Sequence, residues 1–168
     1  MIFKKEPLAF VAQRGLDLKK TSILAAIVLG GLVAGTIDIG AAALINGRGV
    51  VYILHAIAGG LLGVGSFNDG AASAMLGLLL QWAISLVIAA LYVAAAKRLR
   101  VLRRWWIAGG LAYGVGIFFV MNYVVIPLSA YHRFAPFTLP KFAENMLAML
   151  LFGLIVAWFA RNSSRRVH

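Results

Sequence analysis

Apolar residues fill four long stretches of this chain, about 21 to 45, 70 to 96, 105 to 128 and 142 to 160, separated by short polar or basic segments. The hydrocarbon core of a bilayer is about 30 Å thick, and a helix rising about 1.5 Å per residue needs roughly 20 residues to cross it. Each stretch therefore predicts a transmembrane helix, and together they predict an all-α polytopic membrane helix bundle. A fifth apolar stretch, Val51 to Ser66, is shorter. As a helix it reaches only about 24 Å, and Gly59, Gly60, Gly63 and Gly65 weaken it further. It reads as a re-entrant or interfacial helix on the non-cytoplasmic side, packed so that its broken backbone is shielded from lipid.

The basic residues orient these elements. Thirteen of the 16 Lys and Arg residues lie in three clusters: Lys4, Lys5, Arg14, Lys19 and Lys20; Lys97, Arg98, Arg100, Arg103 and Arg104; Arg161, Arg165 and Arg166. Only Arg48, Arg133 and Lys141 remain for the other side. Positively charged loops stay cytoplasmic, so four crossings with both termini inside put every cluster on one face. A crossing by residues 51 to 66 would send Lys97 to Arg104 outside and break that bias. Trp105, Trp106, Tyr92 and Trp158 near the cytoplasmic ends read as interfacial anchors.

Composition agrees with lipid as the solvent. With 62% apolar residues and 12% charged, a soluble chain of 168 residues would have too little polar surface to cover its core. The net charge of +11 does not indicate nucleic acid, because the cations flank spans and the aromatics lie within them. The absence of Cys excludes disulfides, thiolate metal sites and a Cys nucleophile. The first span, starting near Ser22, is about twice as long as a signal h-region and is expected to be retained. Residues 1 to 20 read either as an amphipathic segment on the inner leaflet or as disordered, residues 21 to 160 as one transmembrane domain, and 161 to 168 as a basic tail.

The linkers show turn chemistry in Asn46-Gly47-Arg48-Gly49 and in Phe67-Asn68-Asp69-Gly70, while Tyr131 to Lys141 carries Pro136 and Pro140. Pro127 falls where the third span is ending. Gly31 with Gly35, Gly59 with Gly63, and Gly110 with Gly114 are each spaced by four, which places small residues on one helix face for close packing. That packing is intramolecular in the plain reading and homo-oligomeric in the sharper one.

Few polar residues interrupt the spans. Asp38 lies about 26 Å along a helix starting near Thr21, which puts it in the outer leaflet. Asn122, His55, Glu144 and Asn145 fall at a similar depth, Asp69 begins the second span, and Gln81 and Ser85 extend the set toward the midplane. Ionisable groups within spans are costly and are functional candidates by default. Asp69 also reads as an N-cap and Glu144 as a carboxylate at the positive end of a helix dipole. Asp38 has neither explanation. It pairs in principle with His55, either as a proton relay or as a static hydrogen bond holding the re-entrant helix. His55 has no second His one turn away, so no metal or other cofactor is implied. Walker, His-Glu-x-x-His and Gly-x-Ser-x-Gly signatures are missing, which argues against an enzyme.

From about Gly109 to Arg161 the order of features resembles the YagU-type family of small bacterial inner-membrane proteins. The matching residues are Gly109-Gly110-Leu111-Ala112, Pro127-Leu128, Leu139-Pro140, Glu144-Asn145, Gly153, Trp158 and Arg161. The first half departs from the family by lacking a long Cys- and Pro-containing external insertion. The resemblance implies a bacterial inner membrane and four spans, and brings no catalytic residues. The expected function is that of a structural, accessory or stress-related membrane component, with anionic headgroups at the basic clusters and a second copy or another membrane protein as partner. The alternative is a small oligomeric transporter or proton/ion conductor using Asp38, His55, Asn122 and Glu144.

Overall fold

The structure, a computed structural model, describes residues 8–132 and 138–165, with side chains described over 22–132 and 138–163. The predictions for Lys4, Lys5, Arg133, Pro136 and Arg166 lie outside the described residues. The chain forms α1 (Leu8–Asn46), α2 (Val50–Leu62), a 3₁₀ turn (Gly63–Phe67), α3 (Gly70–Arg98), α4 (Arg100–Arg104), α5 (Trp106–Val120), a π turn (Met121–Val125), α6 (Ile126–Leu128) and α7 (Leu139–Arg165). Among the described residues there is no strand, and the fold is an all-α membrane helix bundle. By length and apolarity five segments suffice to cross a membrane: Ser22–Asn46, Val50–Phe67, Gly70–Arg98, Trp106–Leu128 and Leu139–Ser163.

Neighbouring long helices run antiparallel, as their side-chain registers require. Gly31 of α1 abuts Ser85 and Leu86 of α3, Gly35 abuts Ser85, and Asp38 meets Gln81, so residue numbers rise along one helix as they fall along the other. The pairing of α1 with α7 runs the same way. Gly30 abuts Phe159, and the Ser22 hydroxyl donates to the Ser163 carbonyl at 2.7 Å. Between α5 and α7, Gly110 meets Ala157 and Leu154 while Gly114 meets Met149 and Leu150. Two of the three glycine pairs therefore bring helices of the same chain together. Ser22, Arg98, Trp106 and Ser163 thus mark one end of the bundle, and Asn46, Gly70, Leu128 and Leu139 mark the other. Lys97 to Arg104 and Arg161 all belong to the first end.

The segment between α1 and α3 leaves and rejoins the bundle at the second end. A Schellman-type close stops α1, with Gly47 N–H donating to Leu44 and Arg48 N–H to Ala43, both at 3.1 Å, and Gly47 at φ 59°. Residues 50 to 67 together are long and apolar enough to cross, so the argument from length in the sequence fails. Their path is nonetheless bent. Gly63, at φ 67° and ψ −158°, redirects the chain so that the Ser66 hydroxyl lies against Gly59. In an unbroken helix residues seven apart would be separated by about 10 Å along the axis. Gly63 is thus a hinge of the turn, and only Gly59 of that pair makes a close contact.

The core lies between α1, α3, α5 and α7, built from Ala26, Ala34, Ile88, Ala89, Val93, Phe152 and Val156 with Tyr92 at its centre. Tyr92 is 1% exposed and stacks edge-on against Tyr113, whose hydroxyl donates to the Ile88 carbonyl. The expected interfacial role of Tyr92 is corrected accordingly, since it faces the next helix. Trp105 and Trp158 do present exposed rings near the basic end. The π turn precedes Pro127, whose ring crowds the carbonyl four residues back and offers it no N–H, and a widened turn relieves that crowding.

Candidate functional site

Two separate polar clusters stand where the sequence suggests one. The first is a seam between α1 and α3. Gln81, only 8% exposed, donates from Nε2 to Asp38 Oδ2 at 2.8 Å. One turn along, Ser85 is buried against Gly35, where any side chain would collide with its hydroxyl. On the outer edge of the seam, Trp82 Nε1 donates to Thr36 Oγ1 at 3.3 Å. A carboxylate inside an apolar bundle needs a donor, and Gln81 supplies it from the facing helix.

The second cluster fastens α2 to the start of α3. Ser73 donates its single hydroxyl proton to the Ser66 carbonyl at 2.5 Å, with the Gly70 carbonyl at 3.3 Å. His55 Nδ1 lies 2.6 Å from Ser73 Oγ. Because both carbonyls only accept, the proton between the two side chains belongs to His55, which donates from Nδ1 to Ser73 Oγ. Gly77, one turn beyond Ser73, lets the Leu54 carbonyl of α2 approach the α3 backbone. Tyr131 locks the other side of α2, its hydroxyl donating to the Ala56 carbonyl at 2.8 Å, while Ala130 N–H donates to the Gly60 carbonyl at 2.8 Å.

The remaining candidates do not join either cluster. Asn122 donates to the Phe118 carbonyl and Asn145 to the Lys141 carbonyl, each at 2.8 Å and four residues back on its own helix. Glu144 is exposed and lies beyond the first turn of α7, which begins at Leu139, so the expected dipole role is not met. Asp69 occupies the N-cap position of α3 but makes no capping hydrogen bond, and Ser73 and the positive φ of Gly70 shape the turn. Nor do Asp38 and His55 pair. Their partners Gln81 and Ser73 are eight residues apart on α3, about 12 Å along its axis.

Sequence reasoning passed over Ser73, Ser66, Thr36, Tyr131 and Gly77. The only available signal was small residues at Gly70, Ser73 and Gly77, spaced three and four along the start of α3. Among the described residues no group of three His, Cys, Asp or Glu side chains is placed to hold a metal. Compared with family models, curated proteins and solved structures, the chain matches none.

Proposed function

We propose that this chain is a non-enzymatic, multi-pass component of a bacterial inner membrane, structural or accessory in role. In this reading α1, α3, α5–α6 and α7 cross the bilayer with the basic end cytoplasmic, while α2 and its 3₁₀ turn form a re-entrant or interfacial cap on the outer face. The carrying observation is the bonding of the polar candidates: Asp38 to Gln81, His55 to Ser73, and Asn122 and Asn145 to their own helices. Groups engaged in helix-to-helix and local hydrogen bonds serve the fold first.

Two further features support the threading. Lys97 to Arg104 and Arg161 share one end of the bundle, as the positive-inside tendency requires. The cap exposes Val51, Leu61, Leu62 and Val64, an apolar face suited to lipid rather than water. The YagU-type resemblance points to the same membrane. An accessory role predicts a stoichiometric membrane-protein partner when the chain is purified in mild detergent; repeated recovery of the chain alone would count against it.

A second reading, proton or ion conduction, is favoured by Asp38 alone, a carboxylate within a span whose hydrogen-bond donor is the neutral Gln81 amide. It predicts potential-driven flux in proteoliposomes that Asp38→Asn abolishes. Absence of flux in the unmodified protein removes that reading.

A further inference from the structure

Resting on the membrane reading above, we propose that the groove between α1, α5 and α7 at the basic end is a binding site for an anionic glycerophospholipid, with an acyl chain in the groove and the phosphate on Arg161. The groove is open to one side, is lined by Val33, Trp106, Ile107, Ile155, Trp158 and Phe159 without a charged side chain, and has a volume of about 520 Å³. That volume falls within the range of ligand pockets and far above that of a solvent void. Its depth also fits. Val33 lies eleven residues in from Ser22, roughly 16 Å along α1, which is about one leaflet of a hydrocarbon core about 30 Å thick.

Charge selects the headgroup. The Arg161 guanidinium carbon stands 5.1 Å from the centroid of the Trp106 ring, which is itself part of the groove wall. Stacking orients the guanidinium plane and leaves its edge N–H groups for phosphate oxygens. Arg103 and Arg104, just before Trp105, are exposed at the same end. The acidic side chains described, Asp38, Asp69 and Glu144, all lie toward the opposite end. Among the described side chains an anionic headgroup therefore meets cations with no competing carboxylate, while a zwitterionic one brings its own positive group to the arginines.

The test uses the full chain reconstituted in equimolar palmitoyl-oleoyl phosphatidylglycerol and phosphatidylcholine, extracted in mild detergent, with retained lipid quantified by mass spectrometry. The unmodified protein is expected to retain phosphatidylglycerol preferentially. Arg161→Gln should lower that preference about fivefold, as expected for one interfacial cation. Val33→Trp, which fills the groove from an exposed position, should reduce retention of both lipids; if it loses its helical circular dichroism, Ile107→Trp on the opposite wall carries the same expectation. Equal retention of the two lipids by the unmodified protein, or undiminished retention with the groove filled, overturns the proposal. Failure of the chain to float with vesicles would instead overturn the membrane reading.

Discussion

Gln81 of α3 reaches across to Asp38 of α1 and donates to its carboxylate at 2.8 Å, joining the two helices in the half of the bundle away from the basic end. Gln81→Leu should destabilise the protein by about 0.5–2 kcal/mol, the range for interhelical hydrogen bonds in membranes. Replacing both residues by Leu should cost less than the two single changes combined, because no polar group is then left without its partner. Thermal unfolding in detergent, followed by tryptophan fluorescence, measures both. Strict additivity of the two changes would show that the bond contributes nothing.

Glycines at helix contacts and glycines facing open space should behave differently. At Gly114 a Cβ would run into the Met149 carbonyl and the Leu150 backbone, whereas at Gly116 nothing lies within 4 Å. Gly114→Val is expected to cost about 1–3 kcal/mol, as overpacked cores do, and Gly116→Ala to be neutral or mildly stabilising. Equal melting temperatures for these two variants would contradict the α5–α7 packing.

Loss of the Ser73 hydroxyl should loosen the cap without melting the bundle. It serves His55 and the Ser66 carbonyl at once, so Ser73→Ala leaves a buried acceptor and a ring N–H unpaired, at about 1–3 kcal/mol locally. Hydrogen exchange should accelerate across 50–67 while 81–96 stays protected. Uniform acceleration, or none, would show that the cap is not held at this point.

Threading can be read directly, because the chain has no cysteine to remove. Arg48→Cys and Asn68→Cys should react with an impermeant thiol reagent from outside intact cells, and Arg100→Cys only after permeabilisation. If Arg48→Cys and Arg100→Cys label together from one face while Asn68→Cys labels from the other, α2 is a true crossing and the proposed orientation fails.

Much of the architecture could be read from the residues because lipid punishes exceptions. A run such as Gly70 to Ala96 has few ways to satisfy its backbone except as a helix, and its observed end at Arg98 is two residues away. Glycine spacing likewise identified the contact faces at Gly31, Gly35, Gly110 and Gly114. The site was much less legible. Depth can be estimated along one helix, but azimuth depends on packing, so Asp38 and His55 share a half of the bundle and yet bond to different residues of α3. Ser73 escaped notice because a lone serine in an apolar run looks unremarkable until a histidine and a carbonyl arrive from another segment. Tyr92 misled for the opposite reason, since position near a helix end does not reveal which way a ring points.

The placement of α7 against both α1 and α5 bears on assembly during translation. Of these helices it is the last to leave the ribosome, yet Phe159 closes over Gly30, and Ala157 and Met149 close over Gly110 and Gly114. Until it arrives, those notches have no helix to cover them. The seam with α1 and α5 is therefore closed only once α7 is in place, and a nascent chain stalled before Leu139 is expected to offer quality-control proteases an unfinished surface.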